Sequence, residues 1–376
     1  MIEKKIRVAH ISTPFTWRGG EQQIAYLYKG IDELNALGAF GQIEQYIFCP
    51  VGSELEAYAN NLGWNVRTFK KRAGTDPFSA AELKRLSSEL ELDLVHAHDS
   101  HAHTMAVLSA SIFRNRTPLV VSRRVDFPLK RKPKTRFKYN HKSIRKIICV
   151  SQFITKLVKP HVYRSTIDVV TVHSGVELER KVMDKGKLRK EFNITANRCI
   201  VANTSELADH KDYFTFLETA AKVQKKEPGK FVFVIIGTGP LMQELKSKKA
   251  ELGLTDKDVI FTGFRKDLPQ LWPDIDLFLF TSKTEGLGTS VLDAFYHDAP
   301  VIATAAGGIT ELVKHGETGM ISPIGDSDSL SENLVQVWKD EALYNQLAGS
   351  AKAFLSQFDR KITAQHTVLH YRDALK

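Results

Sequence analysis

The sequence predicts an α/β protein made of two doubly wound parallel-sheet domains, and three observations predict it. Short apolar runs alternate with stretches whose apolar residues recur at helical spacing. The alternation comes in two series, separated by DVVTVHSGVELE (168–179), which reads as a last strand and a linker. Several runs end in glycine-bearing loops that lead into helices, the arrangement with which open α/β sheets hold phosphates. The expected domains are residues 1–172 and 177–357, with a further helix over about 358–376.

The first series opens with a strand at Ile6 to Ile11. The loop TPFTWRGG (13–20) then leads into EQQIAYLYKGIDEL, a helix by periodicity. Further strands are expected at Gln45 to Cys49, Asn65 to Thr68, Leu94 to His98, Leu119 to Ser122 and Lys146 to Val150. The second series places strands at Cys199 to Asn203, Phe231 to Ile236, Val259 to Thr262, Leu277 to Phe280, Val301 to Ala303 and Gly319 to Ser322. FDRKITAQHTVLHYRDALK (358–376) reads as a closing helix. Nothing repeats beyond this duplicated architecture, and no segment is of low complexity.

At 376 residues and 43% hydrophobic content the chain can bury two cores. Cys49, Cys149 and Cys199 have no metal-site spacing, and the last two sit in apolar runs, so they read as core residues in a reducing compartment. MIEKKIRVAHIS lacks the apolar core of a signal peptide, and no apolar run approaches the roughly 18 to 20 residues that span a bilayer. A cytoplasmic protein is expected, soluble or peripheral on the inner face of the plasma membrane.

The net charge of +10 is concentrated in one place. Arg123, Arg124, Lys130, Arg131, Lys132, Lys134, Arg136, Lys138, Lys142, Arg145 and Lys146 face Asp126 as the single acid between 123 and 146. Phe127, Leu129, Phe137, Tyr139 and Ile144 are interleaved with them. That mixture suits an anionic membrane surface or a phosphate-bearing acceptor better than nucleic acid. A solvated loop without an anion partner is the plain alternative.

The most informative stretch is TSKTEGLGTSVLDA, from Thr281 to Ala294. It places Glu285 and Asp293 about a helix start, with Gly286 and Gly288 freeing the backbone between them. Exposed N–H groups at a helix N-terminus attract a diphosphate, and glycine lets the backbone approach it, which leaves two acids for sugar hydroxyls. The plain alternative has Glu285 offsetting the helix dipole and Asp293 on a solvated face. After this come the strand APVIAT (299–304), Gly307 and Gly308, ITELV (309–313) and GETGMISP (316–323).

From Asp274 to Pro323 the chain resembles the nucleotide-sugar half of glycosyltransferase family 4. That family shows the same glutamate, glycine, apolar residue and glycine, an acid eight positions after the first, then Gly-Gly, Glu-Leu-Val and Gly-x-x-Gly in order. The resemblance covers nearly the whole chain, although the first half matches by element order more than by residue. It implies the GT-B architecture, two Rossmann-like domains facing across a cleft. The N-terminal domain would bind the acceptor, the C-terminal domain the nucleotide sugar, and the closing helix would return to the first domain.

The resemblance also implies site residues. Arg18, Gly19, Gly20 and Glu21 follow the first strand, where the family's Gly-Gly loop nears the donor diphosphate; a turn with Glu21 capping a helix is the plain alternative. In HAHDSHAH (96–103), His98 is the positional match to a histidine that touches the donor sugar. His96 reads as a packed core histidine, with His101 and His103 on the following helix, and a zinc site is the reading set aside. Lys211 matches the lysine that neutralises the leaving diphosphate. Ser205 and Glu206 stand where the family has an arginine, and Arg123, Arg124 or Arg18 is expected to replace its charge. Gly237 and Gly239 would contact the nucleotide, or simply form a turn, and Phe264 with Arg265 lie where the base stacks. Glu285 and the Gly286, Leu287, Gly288 and Thr289 backbone would hold the donor sugar, and Asp293 the ribose.

The resulting expectation is a retaining, metal-independent transferase that moves a sugar from a nucleotide diphosphate donor, a UDP-sugar by family frequency, to a glycan or glycolipid hydroxyl. Lipopolysaccharide or another envelope polysaccharide is the expected setting, with no cofactor. A nucleotide-sugar epimerase on the same architecture and a catalytically inert anion-binding or lipid-binding scaffold are the rivals.

Overall fold

The computed structural model describes residues 5–38, 40–72, 76–180 and 183–376. The chain divides into two compact units, Met1–Glu177 with Phe358–Lys376, and Leu178–Gln357.

The first unit holds seven parallel strands: β1 (Ile6–Ile11), β2 (Ile43–Pro50), β3 (Val66–Phe69), β4 (Leu94–Ala97), β5 (Leu119–Arg123), β6 (Ile144–Cys149) and β7 (Asp168–Thr171). Their order is β3-β2-β1-β4-β5-β6-β7. Helices on both faces explain why β1 and β4 are apolar almost throughout instead of alternating. Chain direction across the sheet reverses between β1 and β4, where His10 lies opposite His96. That switch point is where an open α/β sheet leaves a crevice.

The helix Arg360–Ala374 is built into this unit. It packs on the helix Gly19–Leu37 at Gly30, where an added Cβ would meet the Ala364 Cβ at 2.7 Å. Only a residue without a side chain permits that approach. The chain enters the helix through paired backbone bonds, Val176 N to Phe358 O at 2.8 Å and Arg360 N to Val176 O at 2.9 Å. Lys146 pairs with both Asp168 and Asp373.

The second unit holds six parallel strands: β8 (Cys199–Thr204), β9 (Phe231–Ile236), β10 (Val259–Gly263), β11 (Leu277–Phe280), β12 (Val301–Thr304) and β13 (Met320–Ser322). Their order is β10-β9-β8-β11-β12-β13, with the switch between β8 and β11. Phe231, Phe233, Ile235, Leu277, Leu279, Tyr213 and Phe216 fill its core. Both units are therefore doubly wound, as the alternation of runs requires. All three cysteines are free and buried. Among the described residues no helix is long and apolar enough to cross a membrane.

Candidate active site

At the switch point of the second sheet, two loops are tied together before any functional side chain is considered. The Thr281 hydroxyl donates to the Lys211 and Asp212 carbonyls at 3.2 and 3.0 Å, joining the end of β11 to the loop after β8. Asp212 adopts φ 49° and caps the helix Tyr213–Lys226, so Lys211 stands at a sharp turn. Its ammonium is ion-paired with Glu285 and lies 5.4 Å from the centre of the Phe280 ring. Both side chains of the pair are only about one-sixth exposed, at 16% and 17%.

Glu285 is held from a third loop. Gly308 N donates to the Glu285 carbonyl at 2.9 Å. A Cβ on Gly308 would lie 2.1 Å from the Gly286 oxygen, so the loops after β11 and β12 touch backbone to backbone. Gly288 takes φ 85° as the residue before the helix Thr289–Tyr296. A Cβ there would meet Ile309 at 2.3 Å. Thr289 opens the helix, Gly286 and Gly288 are buried, and Leu287 is core, 2% exposed, so this segment offers a ligand its backbone rather than its side chains. Gly237 and Gly239 lie against the 205–207 backbone, after β9.

Two of the expected contact residues, Asp293 and Arg265, already have protein partners. Asp293 accepts from Arg180 at 2.6 Å, and Arg180 also stacks on Tyr296 at 4.8 Å, so the acid meets a ligand as half of an ion pair. Arg180 escaped the sequence reading because nothing in Leu-Glu-Arg-Lys marks it. Arg265 is bound by both Glu191 and Asp267, which raise its pKa through hydrogen bonds and charge, so the flat face of its guanidinium rather than its charge remains to offer. Phe264 beside it is 64% exposed. At the position of the family's arginine, the Ser205 hydroxyl bonds the Tyr213 hydroxyl at 2.8 Å, and Glu206 is exposed.

The first unit carries a second cluster at its own switch point. Asp99 caps the helix Ser100–Ile112 through His101 N and Ala102 N, at 2.8 and 3.0 Å. The same carboxylate binds Thr13 through its N–H and hydroxyl, each at 2.8 Å. Glu21 takes the capping position that was the plain alternative to a donor contact. Its buried carboxylate accepts from Ser12 at 2.9 Å and from Arg18 N at 3.1 Å, capping the helix from within. Gly19 and Gly20 form the first helical turn and look onto open space, with Arg18 exposed beside them.

His98 is buried, and all six ring nitrogens of His10, His96 and His98 have protein partners. These three form a group of potential ligands whose atoms lie within 4.8 Å of one another. His98 and His10 are joined in one hydrogen-bond chain that Arg124 enters 3.2 Å from His98, while His96 bonds elsewhere. Burial lowers all three imidazoles, His10 to about 4, so they are neutral. Arg123 is used locally, by the Tyr139 hydroxyl and the Phe127 carbonyl. Arg124 contacts His98 and Ser174, keeps a buried Nε–H without a partner and makes no ion pair among the described residues. Burial lowers it to about 10, only partly offset by the charge of Glu21 nearby.

Two doubly wound units, one with a lysine–glutamate pair where a glycine-rich loop enters a helix, place the chain in the GT-B class. Sequence similarity narrows the class to a family. The Glycosyltransferase Family 4 model matches residues 19–180 and the Glycosyl transferases group 1 model matches residues 184–354. The chain belongs to the family 4 glycosyltransferases.

Among its relatives, N-acetyl-alpha-D-glucosaminyl L-malate synthase of Bacillus anthracis is 28% identical over 220 residues, 57% of this chain and 55% of that protein. The UDP-Gal:alpha-D-GlcNAc-diphosphoundecaprenol alpha-1,3-galactosyltransferase of Escherichia coli is 25% identical over 282 residues, 71% and 72% of the two chains. The chain thus spans about half the length of the first relative. The Anabaena protein HepE, solved with UDP and glucose, superposes with a TM-score of 0.82 at 21% identity, over 98% of this chain and 100% of that one, which shows the shared fold.

Proposed function

We propose that this protein is a retaining glycosyltransferase that moves a sugar from a nucleotide diphosphate, a UDP-sugar, to a hydroxyl of a glycan or glycolipid of the bacterial envelope. The observation that carries the reading is the Lys211–Glu285 pair, held by the loops after β8, β11 and β12, the last two glycine-bearing, at the switch point of the second sheet. A nucleotide sugar already bears a leaving group, so the enzyme's task is to stabilise charge that builds on the departing phosphate. Lys211 and the N–H groups opening the helix at Thr289 answer that need. Glu285 then accepts from sugar hydroxyls, Asp293 with Arg180 meets the ribose, and His98 meets the sugar. The diphosphate oxygen takes the acceptor's proton, while Arg124 supplies the charge of the missing arginine.

Names of relatives support the setting: one is a UDP-Gal transferase acting on a diphosphoundecaprenol, another a lipopolysaccharide core biosynthesis glycosyltransferase of Rhizobium meliloti. The test is a thermal-shift panel of UDP, GDP, ADP and CMP with their sugar conjugates, followed by nucleotide release. One diphosphate should stabilise the protein, and release should be unchanged by EDTA because protein cations do the work of a metal. No shift with any nucleotide at about millimolar concentration, the top of the usual KM range, would sink the proposal.

The same reading takes the basic segment as a contact with an anionic membrane. Lys130, Arg131, Lys132, Lys134 and Arg136 are exposed together with Phe127 and Phe137, each 57% exposed, and a cavity of about 180 Å³ opens between Arg136, His161 and Tyr163. Vesicles containing phosphatidylglycerol should bind the protein, and salt should release it. Equal affinity for purely zwitterionic vesicles would refute this contact.

A further inference from the structure

The hydrogen bonds around His98 have only one consistent direction. Gln45 sits on the same face of the sheet as His10, one residue pair away, because Val8 lies opposite Gln45. The Gln45 amide nitrogen faces the Tyr28 carbonyl at 3.0 Å and the Asp32 carboxylate at 2.8 Å. A carbonyl can only accept, so that end of the amide is its NH2 and Oε1 must face His10. His10 Nε2, 3.1 Å from Oε1, therefore carries the ring's proton, and His10 Nδ1 is bare. His98 Nε2 lies 3.0 Å from that bare nitrogen and must donate to it. His98 Nδ1 is then left unprotonated.

The other end of the chain gives the same answer independently. A guanidinium has no acceptor. Arg124 stands 3.2 Å from His98 Nδ1, so that nitrogen must accept. A donor-only group at one end and an acceptor-only group at the other leave one proton for each ring, running from Arg124 through His98 and His10 to Gln45. Protonating His98 would set an N–H against the arginine, so the ring is held neutral by geometry as well as by burial.

We infer that His10 and Gln45 are positioning residues that lock His98 as the tautomer bare at Nδ1, making it a hydrogen-bond acceptor for a hydroxyl once Arg124 turns from it toward an anion. His98 in this state cannot act as an acid. A ligand hydroxyl would donate to Nδ1 while the guanidinium, whose Nε–H has no partner, moves to the ligand's negative charge. His96 is not part of the relay: its nitrogens bond Tyr371 at 2.6 Å and Ser122 at 2.8 Å.

The tautomer does not depend on the transferase reading, whereas its kinetic consequence does. The experiment is a long-range 15N–1H correlation spectrum of the full chain labelled with 15N-histidine, with His98 assigned by its loss in His98→Gln. The expected result is a protonated Nε2 and a bare Nδ1 from about pH 6 to 9, a range that takes in the ordinary histidine value of about 6.5. A His98 protonated at Nδ1, or one that titrates in that window, overturns the inference whatever the enzyme does.

In Gln45→Met and in His10→Gln the tautomer should become mixed once a bound nucleotide diphosphate draws Arg124 from His98, and kcat should fall about ten-fold, the equivalent of one lost hydrogen bond, with donor KM within about two-fold. A purely structural role would lower Tm without changing the spectrum or the turnover of the folded enzyme. That outcome in both variants overturns the positioning role.

Discussion

Lys211→Met should lower turnover by about two to three orders of magnitude while leaving the protein folded, because it removes the cation from the switch point of the second sheet. The ammonium is paired with Glu285, and methionine keeps the stem that lies near Phe280. Two readings of the pair give different results. If Lys211 only neutralises Glu285, the double variant Lys211→Met/Glu285→Gln should recover the thermal shift with nucleotide, since no lone charge remains half-buried. If Lys211 serves the departing diphosphate, the double variant stays inactive and, like the single variant, loses its thermal shift with nucleotide. Near-normal turnover in Lys211→Met would remove this lysine from the mechanism.

The second large effect is steric. Gly308→Ala puts a methyl group about where the Gly286 carbonyl oxygen lies, 2.1 Å from it, and 3.1 Å from the Leu287 Cα. Both partners are backbone, so neither can rotate away. The loops after β11 and β12 must part, which breaks the bond from Gly308 N to the Glu285 carbonyl and moves Glu285 from Lys211. A cost of about 2 to 3 kcal/mol is expected, as for overpacking elsewhere, with a fall in Tm of several degrees and the loss of most activity. Gly349→Ala is the control. Gly349 is exposed in the helix Glu341–Leu355, with nothing within 4 Å of an added Cβ, so alanine there should stabilise by up to about 1 kcal/mol. Equal behaviour of the two variants would show that the loop contact does not control the site.

Much of the fold was legible because burial on both faces writes itself as continuous apolar runs. IRVAHI, FVFVII and LFLF are β1, β9 and β11 residue for residue, and the other expected strands differ by a residue or two at their ends. The glycine series after β11 was legible for a similar reason, since close backbone approach excludes every other residue type. Glu21 left two roles open, because a capping glutamate and a ligand-binding glutamate occupy the same place in a strand-loop-helix sequence. His10 and Gln45 left a weaker signal, polar residues inside IRVAHI and IEQYIFC, which alone does not say what they face.

By itself the sequence determined the two doubly wound units, the glycine loops and the basic segment, because hydrophobic period, backbone freedom and net charge are local properties. Only the tertiary structure decided that Lys211 meets Glu285, 74 positions away, that Arg180 holds Asp293, and that Gln45, His10, His98 and Arg124 form one directed chain of hydrogen bonds. Those pairings depend on sheet order and register, which bring distant strand ends within bonding distance and which no local pattern encodes.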